Sequence, residues 1–198
     1  MRFLISSALL ASAAIATPAL AQDTTAPEGK EFQGIKVLAL GGIDDVTNSG
    51  SDKAGAVFGG TIGYDHQSGK AVFGVEAEVN GSTTKDCVGS TVVAGDTLCA
   101  KAGRDLYAGA RVGYVLGENT LLHIKGGYTN ARVNLTYDDG NTGANNFKVG
   151  ENLDGWRAGV GFEFNAGKNI VLRTEYRYSN YEQDFTRHQG VIGVGVKF

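Results

Sequence analysis

The chain of 198 residues has only 2 prolines, 2 cysteines, 1 tryptophan, 1 methionine and 3 histidines. Beyond its N-terminal stretch it also lacks any continuous apolar run of the roughly 20 residues that a spanning helix requires. Any insertion of the later chain into a membrane must therefore be by strands. An excess of positive charge is missing too: the net charge is −3, so no nucleic-acid surface is implied. With 42% hydrophobic and 20% charged residues the chain is not disordered, and its glycines have no collagen-like period. Glycine itself is abundant, at 30 residues, about twice the usual share of roughly 7%. The length suits one domain with a full core, or one small barrel.

The start reads as a targeting segment. Arg2 supplies a short positive end, Phe3 to Ala16 is apolar, and Ala19-Leu20-Ala21 is a small-x-small cleavage site before Gln22. A membrane anchor would need a longer apolar run. The expectation is a signal peptide over 1–21, cut between Ala21 and Gln22, and a mature domain over 22–198. Cys87 and Cys99 have no histidine or further cysteine beside them, which disfavours a metal site. In an exported chain such a pair reads as a disulfide, and closing so short a loop stabilises by on the order of 3 kcal/mol in the chain-entropy model.

Strict alternation organises the rest. In the last eleven residues, His188 to Phe198, the side chains of Ile192, Val194, Val196 and Phe198 share one strand face. Gln189, Gly193, Gly195 and Lys197 share the other, with Val191 as its apolar exception. The same pattern recurs upstream. Ala56, Phe58, Gly60, Ile62 and Tyr64 alternate with Val57, Gly59, Thr61 and Gly63; Phe73, Val75, Ala77 and Val79 alternate with Gly74, Glu76, Glu78 and Asn80. Leu106 to Tyr114 opposes Asp105, Tyr107 and Arg111, and Leu122 to Tyr128 opposes His123 and Lys125. Trp156 to Phe164 opposes Arg157 and Glu163, and Leu172 to Tyr178 opposes Arg173, Glu175 and Arg177. A first strand over Phe32–Ile43 is less clean, with Ile35, Val37, Ala39 and Ile43 facing one way and Lys36, Leu38 and Leu40 the other.

Eight strands result, joined by connections that alternate long and short. Asp44–Lys53, Gly81–Arg104, Asp138–Asn152 and Ser179–Arg187 are the long ones; Asp65–Lys70, Gly117–Asn119 and Asn165–Asn169 are the short turns. Short periplasmic turns and longer extracellular loops are the habit of outer-membrane barrels. Threaded this way, Tyr64, Phe73, Tyr114, Phe162, Phe164 and Phe198 ring the apolar face near the turns. Tyr128, Trp156, Tyr176 and Tyr178 ring it near the loops. Two aromatic belts mark the two water boundaries of a membrane barrel. The predicted fold is all-β, an eight-stranded antiparallel transmembrane β-barrel of up-and-down meander type, monomeric by default.

Segments GRDLYAGARVGY, KGGYTNARV, LDGWRAGVGFEF and EYRYSNYEQDFTRHQGVIGVGVKF resemble the small outer-membrane β-barrel proteins of Gram-negative bacteria, the porin-family proteins similar to the OmpA transmembrane domain. The resemblance covers Phe32 to Phe198. It implies outer-membrane localisation, contact with membrane lipid and lipopolysaccharide, and a final strand read by the barrel-insertion machinery, matched here by Ile192, Val194, Val196 and Phe198. The peptidoglycan-binding domain of longer relatives does not follow Phe198, so that attachment role is not carried over.

The inward face would hold Lys36, Arg111, Lys125, Arg157, Arg173, Arg177 and Lys197 against Glu76, Glu78, Asp105, Glu163 and Glu175. An eight-stranded barrel is just wide enough for side chains to fill it. An unpaired ion there costs several kcal/mol, so these charges should pair, with inward glycines leaving them room. An ionic plug with a structural, porin-like envelope role is the favoured reading. A narrow non-specific solute path is the alternative. Loops that bind an extracellular ligand, such as lipopolysaccharide, a host molecule or phage, are a third. Catalysis is disfavoured: His66 lies in a turn, His123 inside the barrel, and nothing forces His188 towards Ser179 or Glu182. Asp138-Asp139-Gly140-Asn141 lacks the further spacing of a calcium loop and reads as a solvated turn. No cofactor is expected.

Overall fold

The computed structural model describes residues 29–48, 51–89, 95–140, 146–182 and 185–198. The expected signal segment and the Ala21–Gln22 cleavage point lie outside the described residues. Among the described residues nine strands run in chain order: β1 (Gly34–Asn48), β2 (Ser51–Ser68), β3 (Ala71–Ser82), β4 (Lys85–Gly89) and β5 (Thr97–Leu116) form the first part. β6 (Thr120–Asp138), β7 (Phe147–Asn165), β8 (Ile170–Tyr181) and β9 (Thr186–Lys197) complete it. All pairings are antiparallel. β3 pairs with β5, and β1 closes on β9 from Lys36↔Lys197 to Thr47↔Thr186. Eight strands thus form a closed ring, and β4 hangs on the outer part of β5 as a ninth. Closure satisfies the backbone hydrogen bonds that an open sheet edge would leave bare in lipid.

The two faces are inverted relative to a water-soluble barrel. Ile192 is 70% exposed on the outside, whereas Arg177 and Glu163 are fully buried within. β1 follows the same rule, with Ile35 and Val37 outward and Lys36, Leu38 and Leu40 buried in the lumen. The outward aromatics form the two belts. Trp156 pairs across the strands with Tyr128, and its ring lies 5.4 Å from that of Tyr178, which is half-buried against it. On the turn side β5 reaches β6 through Gly117-Glu118-Asn119, where Gly117 takes a φ of 76° that a side chain would strain.

Several boundaries differ from the sequence reading. The first strand begins at Gly34 and runs on to Asn48, and β2 begins at Ser51, so most of the expected loop Asp44–Lys53 is paired strand. β2 likewise runs to Ser68, through most of the expected turn. β7 starts at Phe147 inside the expected loop Asp138–Asn152, and β8 and β9 close most of the Ser179–Arg187 link. The segment Gly81–Arg104 holds the β4–β5 hairpin, in which Cys87 and Cys99 are directly opposite, 4.1 Å apart at Cα and disulfide-bonded. The reason is common to all four loop-side regions. Towards the loop side the outward face meets water in place of lipid, so the ladder continues with no apolar alternation to announce it.

Phe32 is not the start of a strand. It turns into the turn-side mouth of the barrel, fully buried among Val72, Val115 and Leu121. Its N–H donates to Gln67 Oε1 at 2.8 Å, and Asn165 and Lys197 donate to the carbonyl of Glu31 beside it. At the loop-side end a second apolar cluster joins Ala131, Leu153 and Tyr181, with Val133 and Phe185 against it.

Candidate functional site: an ionic column in the lumen

Between these two apolar clusters a column of charge fills most of the lumen, with Leu38, Leu40 and Val171 packed beside it. Period-two alternation delivers each charged side chain inward, and glycines in the neighbouring strands make the space. Gly74 lies between Asp65 and Arg111 in register, and a Cβ there would stand 2.0 Å from Asp65 Oδ1. Gly159 lies between Lys125 and Arg177, where a Cβ would stand 3.2 Å from the Lys125 side chain.

The column begins on the turn side. Lys36 Nζ is 2.7 Å from Asp65 and also meets Glu163. Arg111 grips Asp65 with Nε at 2.8 Å and with Nη2, and reaches Glu163 at 3.0 Å. Arg173 bridges Glu163 and Glu76, at 3.0 Å to each. In the middle, Lys125 Nζ lies 2.7 Å from Glu76, 2.6 Å from Glu78 and 2.8 Å from Glu175. Arg177 joins Glu175 at 2.5 Å to Glu78 at 2.9 Å. His123 Nε2 is 3.0 Å from Glu175. Towards the loops Arg157 links Glu78, at 3.3 Å, to Asp105. Arg187 continues from Asp105, at 3.0 Å, to Asp44, at 2.6 Å. Tyr181 Oη and Thr129 Oγ1 donate to Asp105 at 3.1 and 2.8 Å, and Ser82 Oγ and Gln189 Nε2 donate to Asp44 at 2.5 and 3.2 Å.

Seven cations (Lys36, Arg111, Lys125, Arg157, Arg173, Arg177 and Arg187) thus face seven carboxylates (Asp44, Asp65, Glu76, Glu78, Asp105, Glu163 and Glu175), all buried. Each has an oppositely charged partner. Lys125 also sits 4.8 Å over the ring of Tyr107, where the electron-rich face adds a weaker attraction. Breaking one such pair by removing a partner leaves an uncompensated buried charge, which costs several kcal/mol.

The structure brings together eleven of the twelve charged residues that the sequence places on the inward face. Asp44, Asp65 and Arg187 join them from segments read as loop, turn and link. Counting in twos from Leu40, Gly63 and Gln189 reaches these three positions, so parity was the signal. Lys197 lies at the turn-side mouth rather than in the column, donating to Glu31. The histidine with hydroxyl and carboxylate neighbours in sequence is taken apart. Ser179 is buried and accepts from Arg157 Nε at 2.8 Å, while His188 is on the outer wall with Nδ1 2.6 Å from Tyr176 Oη. Asp138 Oδ1 accepts the N–H of Gly140 at 3.0 Å, which closes a local turn. Ile192, Val194, Val196 and Phe198 stand on the outer face of β9, and the last residue exchanges backbone hydrogen bonds with Ile35 at 2.9 and 3.2 Å.

The family model for the outer membrane protein beta-barrel domain matches residues 7–198. The chain belongs to that family. Among relatives, this outer-membrane barrel is 30% identical over 175 residues to the 22 kDa outer membrane protein of Rhizobium leguminosarum bv. viciae, covering 81% of this chain and 76% of the relative. It is 31% identical over 146 residues to the 25 kDa outer-membrane immunogenic protein of Brucella ovis, covering 74% of this chain and 63% of that protein's length. In fold it is similar to Ail, the attachment invasion locus protein of Yersinia pestis, with a TM-score of 0.58 at 16% identity over 84% of this chain and 99% of Ail. Neisserial surface protein A gives 0.56 at 15% identity, over 83% and 97%. Membership of the family places the barrel in the outer membrane; in such barrels the short turns are periplasmic and the longer extensions extracellular.

Proposed function

We propose that this barrel is a closed structural element of the outer membrane, its lumen held shut by the ionic column. The observation that carries the reading is the uninterrupted relay of ion pairs from Lys36 to Asp44, bounded at one end by Phe32 and at the other by the Ala131–Leu153–Tyr181 cluster. A path for solute would have to part charges that are already matched. The role is not catalytic and needs no cofactor. Its partners are the surrounding lipid, lipopolysaccharide, and the insertion machinery, which reads the outward series Ile192, Val194, Val196 and Phe198. Liposome swelling in small sugars tests the reading. The pure refolded protein is expected to leave vesicles as impermeable as empty ones, and rapid swelling would establish the narrow-porin reading in its place.

A second role is favoured by the outer extensions of β5, β6 and β7, which are 20, 19 and 19 residues long against 12 in β8. They carry one side of the wall clear of the bilayer, and the Cys87–Cys99 bond staples β4 to it. Such a rigid surface suits display towards an extracellular ligand. Cell-surface binding that survives in wild type and vanishes when residues 85–99 are replaced by a short turn is the expected result. Equal binding by both forms would reject this role.

A further inference from the structure

The raised side of the wall is also the charged side. On β5 the last apolar outward residue is Leu106, and the next outward one is Arg104, roughly 7 Å further along the strand. Arg104 is in register with Gly81 of β3 and reaches Asn152 Oδ1 at 3.4 Å; a bulge sets it beside Arg132 of β6. In the next outward row Lys85 of β4 is directly opposite Lys101 of β5, which neighbours Asn134. The row after that ends on β7 in Lys148. Five cations therefore occupy three consecutive rows of one face, and among the described residues of β4 to β7 no carboxylate shares that face in those rows. Like charges directly opposite one another repel, so the arrangement is relieved by an anion. The opposite wall, on β8, β9 and β1, carries Tyr178, His188 and Asp45 towards its loop-side end and, among the described residues, no outward lysine or arginine.

Shape adds a second observation. A recess of about 300 Å³ opens within the charged patch, lined by Phe58, Gly81, Lys101, Gly103, Asn134 and Lys148. On the lipid-facing wall beneath it is a shallower apolar notch of about 360 Å³, floored by Gly60 and Ala77 and flanked by Val37, Ile62 and Val79. Phe58, the next outward residue after Gly60, stands between the two. A cationic cup just above an apolar trough, at the outer boundary of the bilayer, has the polarity profile of a phosphorylated lipid.

We infer that this wall binds the phosphorylated headgroup of an outer-leaflet saccharolipid of the lipopolysaccharide type. Lys101, Arg104 and Arg132 hold a phosphate, and one acyl chain lies along the Gly60–Ala77 notch. Guanidinium forks suit phosphate because two N–H groups meet two oxygens. This site rests on the lipopolysaccharide contact proposed above, and it is independent of whether the lumen conducts.

The test uses the full protein folded in phosphatidylcholine vesicles that contain a few per cent of bisphosphorylated lipid A. Native mass spectrometry after mild detergent extraction counts the lipid A retained per barrel over a titration. Wild type is expected to keep one molecule. The K101Q/R104Q/R132Q variant should weaken retention about a hundredfold, since each basic group near an anionic lipid surface contributes a severalfold gain. Removing the phosphates from lipid A should weaken it similarly, and phosphatidylglycerol should not replace it. Heat-dependent gel mobility verifies that the variant is folded, which its outward positions favour. If it is not, the K101Q/K148Q variant is used and a tenfold loss is expected. Unchanged retention in the folded variant, equal retention of dephosphorylated lipid A, or full competition by phosphatidylglycerol would each overturn the inference.

Discussion

Lys125 of β6 and Glu76 of β3 meet at 2.7 Å in the centre of the barrel, although neither strand is paired to the other. The same ammonium holds Glu78 and Glu175 within 2.8 Å, so one cation bridges three carboxylates, whose remaining charge is met by Arg173, Arg157 and Arg177. Lys125→Ala is expected to lower stability by roughly 3–5 kcal/mol, the usual cost of stranding a buried charge. Adding Glu76→Gln to it should recover part of that loss. The readout is the midpoint temperature of the folded-to-unfolded shift on gels, and an unchanged midpoint for Lys125→Ala would count against the pairing.

Neutralising Glu76 and Glu78 together removes two negative charges from among Lys125, Arg173 and Arg177, which keep only Glu175 and Glu163 as partners. The E76Q/E78Q variant is expected to melt well below wild type by the same gel assay. A plug made of shape alone, with no need of charge, would show no loss.

Space for the column comes from glycine. Gly74→Val would force Asp65 off its two-pronged contact with Arg111, because even a Cβ there meets the carboxylate. A loss of roughly 1–3 kcal/mol is expected for such overpacking. Gly60→Ala is the control: on the lipid face its Cβ would meet no atom closer than 3.4 Å, and its midpoint should hardly move.

The periplasmic mouth depends on Phe32. Phe32→Ala is expected to cost on the order of 3–5 kcal/mol, the range for truncating a fully buried phenylalanine, unless the mouth collapses to fill the gap. Faster proteolysis at Lys30 would accompany it, since the Phe32 N–H and Glu31 carbonyl contacts tie that segment to Gln67 and Asn165. Wild-type cleavage rates would contradict the packing described.

Reduction of the Cys87–Cys99 bond should act locally. The hairpin β4–β5 stands on the extracellular extension, outside the ring closed by β3 and β5. Dithiothreitol is expected to speed protease cleavage around residues 85–99 while the barrel's own melting midpoint stays within about 0.5 kcal/mol of its oxidised value, as for a change remote from the core. A large fall in the barrel midpoint would show that the hairpin carries more of the fold than its contacts indicate.

The ring of eight strands was legible in the sequence because lipid enforces apolar residues outside, and a narrow lumen admits charge only inside. Arg157 between Trp156 and Ala158, or Glu163 between Phe162 and Phe164, states the facing outright. Legibility ended where that contrast ended. Asp44 and Arg187 belong to the column, yet they sit where the outward neighbours Asp45 and His188 are polar as well. Asp65 follows the belt residue Tyr64 and resembles the start of a turn. Phe32 was drawn into the first strand by its apolar character, whereas the mouth of a tapered lumen needs just such a side chain to seal it. The cationic rows were invisible for a different reason: Lys85, Lys101, Arg132 and Lys148 become neighbours only through the register of four strands.

The most direct measurement of the central claim is single-channel recording from the pure refolded protein in a planar bilayer, beside the K125A/R157A/R177A variant. The matched column predicts no sustained current from the wild-type barrel and measurable openings once three of its cations are cut away. Steady conductance from wild type, unchanged by the triple substitution, would contradict it.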